Sequence, residues 1–266
     1  MTTPIWMNGP RAQSAATPAA MLRQLLPLLA SLLLAGCATP GPAHLYTVAP
    51  RAPEIRDRAL DGRDVARDVP SFLEPGDTVT GFAYDPFTDH FFLRLAPGNQ
   101  IRVVDRPARA IKRAFTIDPS PGPGGDLALN PRDGHLFLLD ATRAELVETS
   151  RLGAIIGRIP LQGVATPPLG VAFDARQDSL LVLLEDGLTL HRFSLTGLNT
   201  GKFQLARHVR AAIAFDSDAR ELYAPLADAD AEIGVFDEQG QLMRTLPAPD
   251  TPTFLDVGPH AFLRVF

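Results

Sequence analysis

The 266-residue chain has one cysteine, Cys37, and two lysines, Lys112 and Lys202. A lone cysteine excludes an intramolecular disulfide, so the stability of the fold must come from packing. The formal net charge of −5 argues against a nucleic-acid-binding protein, because phosphate contacts require clustered lysine and arginine. We therefore expect no nucleic acid among the partners of this chain.

The common signatures of catalysis and of helices are also missing. The chain contains no G-x-S-x-G elbow, P-loop, dinucleotide fingerprint or C-x-x-C pair. No long segment carries a 3.6-residue apolar period, while 25 prolines and 21 glycines are spread along the chain. This composition favours many short strands joined by turns over a helix bundle.

The segment that begins at Met21, MLRQLLPLLASLLLAGC, has the organisation of an export signal. Arg23 supplies a positive start, and the apolar stretch Leu25–Gly36 is too short to span a bilayer comfortably but is typical of a signal-peptide core. We predict a signal peptide over residues 1–36. Residues 1–20 have no apolar run, which indicates either an over-extended reading frame or an unusually long positive region.

The residues Leu34-Ala35-Gly36-Cys37 resemble the lipobox of bacterial lipoproteins. In that family the cysteine thiol is acylated and the chain is cut just before it, so the resemblance implies lipidation of Cys37 and a membrane anchor. The alternatives are a buried core cysteine and a catalytic thiol.

Ala38 stands where an aspartate would retain such a lipoprotein in the inner membrane. The resemblance therefore implies a lipid-anchored protein of the bacterial cell envelope, at the outer membrane and with its domain in the periplasm. Residues 37–43 would form a short lipidated tether, and residues 44–266 the folded domain.

Four stretches of the chain repeat one pattern every 42–45 residues, in which an apolar strand ends in Asp or Asn and a polar turn leads into a second apolar strand. Asp and Asn suit this position because their side chains bond the backbone two residues on and tolerate left-handed dihedrals. The four turn residues are Asp85, Asn130, Asp174 and Asp216.

Two more strands follow in each unit, and four strands in a repeat of this length are typical of a propeller blade. The predicted third strands begin at Gln100, Ala144, Leu188 and Glu232, and the fourth strands at Ala110, Ala154, Thr200 and Gln241. With N-Q-I at Asn99–Ile101 and V-F-D at Val235–Asp237, the pattern resembles NHL-type and YVTN-type bacterial repeats over about residues 78–248. The resemblance implies an all-β fold, a β-propeller, and no particular activity.

Four units leave TFLDVGPHAFLRVF at the C-terminus, where we expect two strands of a fifth blade. HLYTVAP, from His44 to Pro50, is strand-like, and Arg63–Leu73 is a second candidate. We predict that this N-terminal segment pairs with the C-terminal hairpin and closes the ring. About five four-stranded blades result, or six if Arg51–Pro75 fold more fully.

Carboxylates are the candidate site residues. The predicted loops between second and third strands would bring five acids to one end of the ring, where they could bind Ca²⁺, which prefers several oxygen ligands. The alternative is a set of solvated loop acids in an acidic protein. The five are Asp140, Glu185, Asp186, Asp228 and Asp230. Asp126, just ahead of an inner strand, either faces the channel or begins the strand.

The sequence predicts no catalytic residue and no confident metal ligand; His44, His208 and His260 show no ligand spacing. Two functional hypotheses follow. The first is a membrane-tethered periplasmic binding or scaffold propeller that presents one face to an envelope protein, a peptide or a glycan. The alternative is a metal-dependent periplasmic hydrolase or lyase, similar to lactonase propellers, with its site in the channel.

Overall fold

The computed structural model describes residues 41–65, 67–122 and 125–260, which form twenty β-strands in five antiparallel sheets of four. The innermost strands of the five sheets contact one another in a closed cycle, so the sheets are the blades of a five-bladed propeller. No helix in the described part of the chain is long and apolar enough to cross a membrane. The predicted signal peptide and Cys37 lie outside the described residues.

Four blades each take four consecutive strands. Blade 1 comprises β4 (Thr78–Asp85), β5 (His90–Ala96), β6 (Gln100–Asp105) and β7 (Ala110–Thr116). Blade 2 comprises β8 (Leu127–Leu129), β9 (Leu136–Asp140), β10 (Glu145–Thr149) and β11 (Ile155–Pro160). Blade 3 comprises β12 (Pro168–Asp174), β13 (Ser179–Leu184), β14 (Thr189–Ser194) and β15 (Asn199–Gln204). Blade 4 comprises β16 (Ala214–Asp216), β17 (Glu221–Pro225), β18 (Glu232–Phe236) and β19 (Leu242–Pro247).

These bounds confirm the four predicted repeats, and burial along each blade explains the apolar pattern that revealed them. The second strands lie between neighbouring blades, and every residue of β9 and β13 is buried. The fourth strands form the rim, where β7 is exposed or half-buried along its whole length. The core therefore lies between the inner halves of adjacent blades.

The Asp and Asn side chains at the ends of the first strands hold the turns in the predicted way. Oδ1 of Asp85, Asn130 and Asp174 accepts the backbone N–H two residues on, each at 3.0 Å, and Asp216 does so at 2.9 Å. The left-handed dihedrals, however, fall four residues after these side chains. They occur at Asp89, Gly134, Asp178 and Arg220. The polar side chain is therefore selected for its hydrogen bond and not for its own backbone conformation.

The fifth blade, which we call the closing blade, joins the two ends of the described chain. Its strand order is β20 (Phe254–Pro259), β1 (Ala43–Val48), β2 (Glu54–Ala59) and β3 (Val69–Pro70). The antiparallel pairing of β1 with β20 confirms the predicted closure, with Leu45 opposite Val257. Residues 51–75 supply β2 and β3 of this blade, so the structure has five blades and not six.

One part of the predicted closure lies outside the described residues: the second of the two strands expected from the C-terminal segment would fall at residues 261–266. Among the described residues, the neighbour of β20 within the blade is β1. Three strands of the sheet therefore come from the N-terminal side, and among the described residues one comes from the C-terminal side. The strand that the sequence did not predict is β2, EIRDRA, because its charged residues interrupt the apolar pattern expected of a buried strand.

Candidate functional site

A cavity of about 550 Å³ opens at one end of the ring, which we call the upper face. This is the end at which the inner strands finish, and the cavity is lined by residues of all five inner strands and by the turns that follow several of them. Its volume lies within the range of about 300–1,000 Å³ that is usual for small-ligand sites. The lining includes Tyr84, Leu129, Phe173, Phe215, Asp256 and Gly258.

Two arginines lie at the rim of this cavity. Arg132 and Arg176 are in the turns that follow the inner strands of blades 2 and 3, and both are exposed. In the described residues neither side chain forms an ion pair or a hydrogen bond, whereas the rim also includes the acids Asp216 and Asp218. The guanidinium groups are therefore available to a carboxylate or another anionic group of a ligand.

Asp256 lies in the cavity wall, on the inner strand of the closing blade. Its carboxylate accepts backbone N–H groups from Tyr84 at 2.7 Å and from Val257 at 2.8 Å. Burial raises the pKa of Asp256 to about 7, although these two hydrogen bonds favour the ionised form. Near neutral pH the cavity wall therefore carries a carboxyl group that can hold or release a proton.

Asp126 lies directly before β8, and its carboxylate contacts the inner strand of the neighbouring blade 3. It is 1% exposed, and its Oδ2 accepts the backbone N–H of Val171 in blade 3 at 3.2 Å. Burial raises the pKa of Asp126 well above its usual value, and the nearby charge of Asp256 adds to the effect. Within the described residues, the buried Oδ1 of Asp126 has no hydrogen bond of normal geometry.

The other predicted acids lie at the opposite end of the ring, which we call the lower face, and they do not form one ligand group. Two of them hold their own loops: Asp140 accepts N–H groups from Gly122 and Thr142, and Asp186 from Leu188.

The remaining three acids are exposed. Asp228 pairs with Arg207 and Asp230 with Arg210, with oxygen–nitrogen distances of 2.6 and 2.7 Å. Glu185 is exposed on the same face. Turn formation and ion pairing account for four of the five acids, and the cavity lies at the other end of the molecule.

Across the described ranges, one group of side chains has the geometry of a metal-binding set: His44, Asp57 and His260, whose ligand atoms lie within 4.8 Å of one another. Sequence spacing missed this group because 203 residues separate Asp57 from His260. The signal was nevertheless present in the predicted closure. Pairing β1 with β20 places His44 opposite Gly258, two residues from His260.

Comparison with known proteins identifies the fold. No family model and no curated protein matches the chain. Among solved structures, a chain of a nidogen/laminin complex is 13% identical with a TM-score of 0.56, covering 81% of this chain and 98% of that one. A Bacteroides caccae protein of unknown function is 12% identical with a TM-score of 0.53, covering 82% and 99%.

Virginiamycin B lyase from Staphylococcus aureus is 15% identical with a TM-score of 0.50, covering 79% of this chain and 69% of that one. At such identities the likeness shows the β-propeller fold alone. The similar structures have varied roles, so the functional conclusion must come from the residues of this chain.

Proposed function

We propose that this chain is a membrane-tethered binding lipoprotein of the bacterial envelope, whose propeller takes part of a protein, peptide or glycan partner into the upper cavity. The observation that carries the proposal is the cavity of about 550 Å³, with two arginines at its rim that form no ion pair with any described residue. The arginines would hold an anionic group of the partner, and the aromatic and aliphatic lining would cover its apolar part.

The position of the tether adds a geometric constraint. Gly41 and Ala43 line the cavity, so the chain enters the propeller at the upper face. Ala43 lies six positions after Cys37, a span of at most about 20 Å when extended. A lipid on Cys37 would therefore hold the upper face close to the membrane, and a partner would reach the cavity from the membrane side.

Affinity capture with the detergent-solubilised lipoprotein tests the binding. We expect reproducible recovery of a partner that is lost in the double variant Arg132→Glu, Arg176→Glu. The matched control is Arg51→Glu, Arg143→Glu, which makes the same charge change at exposed sites on the lower face. A partner captured equally by both variants would place binding elsewhere, and reproducible absence of any partner would count against the proposal.

Palmitate labelling tests the anchor separately. We expect the wild-type chain to take up label and the Cys37→Ser variant to take up none. Label that persists in the variant would refute lipidation at this residue.

The alternative is a metal-dependent hydrolase or lyase, and the two channel carboxylates favour it. Asp256, with a pKa of about 7, suits proton transfer near neutral pH, and the unpartnered Oδ1 of Asp126 suits a cation such as Ca²⁺. On this alternative, Ca²⁺ raises the melting temperature of the wild-type chain and leaves Asp126→Asn unchanged. Absence of any Ca²⁺-induced shift would remove most of its support.

A further inference from the structure

Three side chains of the closing blade converge in the seam between this blade and blade 1. Nδ1 of His44 donates to Oδ1 of Asp57 at 2.6 Å, and Nε2 of His260 lies 3.0 Å from Oδ2 of the same carboxylate. The two imidazole rings stack with their centroids 3.4 Å apart. Two imidazole nitrogens and one carboxylate therefore converge from β1, from β2 and from the residue that follows β20.

Strand pairing explains why these residues share a face. Tyr46 lies opposite Asp57 on β2, and His44 lies two residues before Tyr46 on β1, so the side chains of His44, Tyr46 and Asp57 point to the same side of the sheet. His260 follows directly after β20, on the other side of β1. The convergence thus exists only when β1 has paired with both β2 and β20.

The charges in the seam favour a cation between these groups. Apart from the two imidazoles, the nearest cationic group to the buried carboxylate of Asp57 is Arg106, with Nη1 3.9 Å from Oδ2. Arg106 already binds Asp89 through two hydrogen bonds of 2.6 and 2.8 Å. A divalent ion held by the three side chains would neutralise the charge of Asp57.

We propose that His44, Asp57 and His260 bind one Zn²⁺ ion that fastens the closing blade. Two histidines and one carboxylate with an open fourth position form a common zinc donor set. Ligand atoms around tetrahedral zinc lie about 3.3 Å apart, given bonds of about 2.0–2.1 Å. The nitrogen–oxygen distances of 2.6 and 3.0 Å are shorter, so these atoms would move apart by several tenths of an ångström to admit the ion. The two stacked rings would also splay, because imidazoles on one tetrahedral ion have centroids about 5 Å apart.

The burial of the three residues is consistent with this assignment. The side chains of His44 and Asp57 are 8% and 3% exposed, whereas that of His260 is 20% exposed. The ion would enter past His260 and keep a water molecule on that side. Because His44 and His260 come from opposite ends of the described chain, the ion would take the place of a covalent link in a protein with a single cysteine.

The test uses the full-length chain without a polyhistidine tag, stripped with chelator and then titrated with Zn²⁺. We expect one ion per chain by elemental analysis and, at about a hundredfold excess over Kd, a rise in Tm of about 5–10 °C. The variants His260→Gln and His44→Gln should lose both effects. His208→Gln, an exposed histidine outside the group, is the matched control and should keep both.

A second measurement uses only the wild-type chain, because a variant of a buried residue such as His44 could lose metal binding simply by failing to fold. Co²⁺ bound to the wild-type chain should show the visible absorption of a tetrahedral centre, and Zn²⁺ should displace it. Failure of the wild-type chain to bind either metal would overturn the proposal. Binding that His260→Gln leaves unchanged would overturn it as well. Neither result bears on the upper cavity, so the proposed partner binding is tested independently.

Discussion

Blade 3 takes its strands from consecutive residues, whereas the closing blade joins β20 to β1, β2 and β3 from the other end of the described chain. The second strand of blade 3, β13, reads SLLVLL and is buried throughout. In the closing blade, β2 reads EIRDRA, and its Asp57 and Arg58 are each 2% exposed. Blade 3 has a buried charge as well, at Asp174, whose partners Arg192 and Arg220 lie in the same blade and the next. The partners of Asp57 and Arg58 are 203 and 192 residues away along the chain.

This difference indicates that ring closure is the step at which the fold becomes cooperative. Buried charges are costly unless every partner is in place, and the partners of β2 are in place only when both ends of the chain have met. Arg58, for example, pairs with Asp250 and lies 3.4 Å from Asp64. In the blades of consecutive strands the buried carboxylates pair over shorter separations, as Asp174 does with Arg192 of its own blade and Arg220 of the next.

Removal of β20 should have the largest effect. A chain ending at Asp250 lacks the inner strand of the closing blade and leaves β1 with an open edge. We expect the truncated chain to lose its cooperative thermal transition, as measured by circular dichroism. A melting transition equal to that of the full chain would show that the closing blade is dispensable.

Arg58→Met should have the next largest effect, because it keeps the apolar stem of the side chain and removes its charge. The change leaves Asp250 with only its longer contact to Arg56, whose Nε lies 3.4 Å from Oδ2. We expect a loss of about 3 kcal/mol in the free energy of unfolding. The control is Arg207→Met, since Arg207 pairs with Asp228 at the surface. That pair should contribute less than about 1 kcal/mol. Equal losses in denaturant unfolding would remove the distinction between the two regions.

Asp256→Asn should have a smaller effect that depends on pH. The folded-state pKa of about 7 lies above the ordinary value of 3.8, so the fold favours the protonated acid. Its contribution is present below about pH 4 and is lost as the pH rises through 7. For a fully buried carboxyl, this pKa difference would contribute about 4 kcal/mol to the free energy of unfolding. Because Asp256 borders the cavity and is partly screened by solvent, we expect a contribution of about 2 kcal/mol.

The difference between wild type and Asp256→Asn is the informative quantity, because Asp126 and other acids titrate in both. Denaturant unfolding at several pH values should show that the stability of the wild type falls more steeply than that of the variant between pH 4 and 7. The variant also loses one acceptor for a backbone N–H group, which shifts its stability equally at all pH values. If the stability of wild type and variant changed with pH in parallel, folding would not raise the pKa of Asp256.

The parts of the fold that sequence reasoning could predict are those that depend on local patterns. Asp85, Asn130, Asp174 and Asp216 mark the four turns because each side chain bonds to its own turn. The closure was also predictable, since an unfinished final repeat leaves a sheet edge that needs a partner. The strand β2 was not, because its charges appear solvent-exposed until Asp250 and His260 are brought to them.

The candidate site likewise has features that local sequence patterns predict and features that depend on contacts between distant residues. A cavity at the channel mouth follows from the fold, but the acids predicted to line it belong to loops at the lower face. Asp256 and the group of His44, Asp57 and His260 depend on contacts between the two ends of the chain. Residue spacing cannot reveal such contacts until the register between β1 and β20 is known.

Disulfide trapping between β1 and β20 tests the central claim most directly. In a Cys37→Ser background, the pair Leu45→Cys, Val257→Cys joins directly opposed residues, whose Cα atoms lie close enough for a disulfide. The pair Leu45→Cys, Leu255→Cys is two residues out of register. We expect the first pair to crosslink under mild oxidation and to raise Tm, and the second to remain reduced. Crosslinking of the second pair alone, or of neither, would contradict closure of the ring by these two strands.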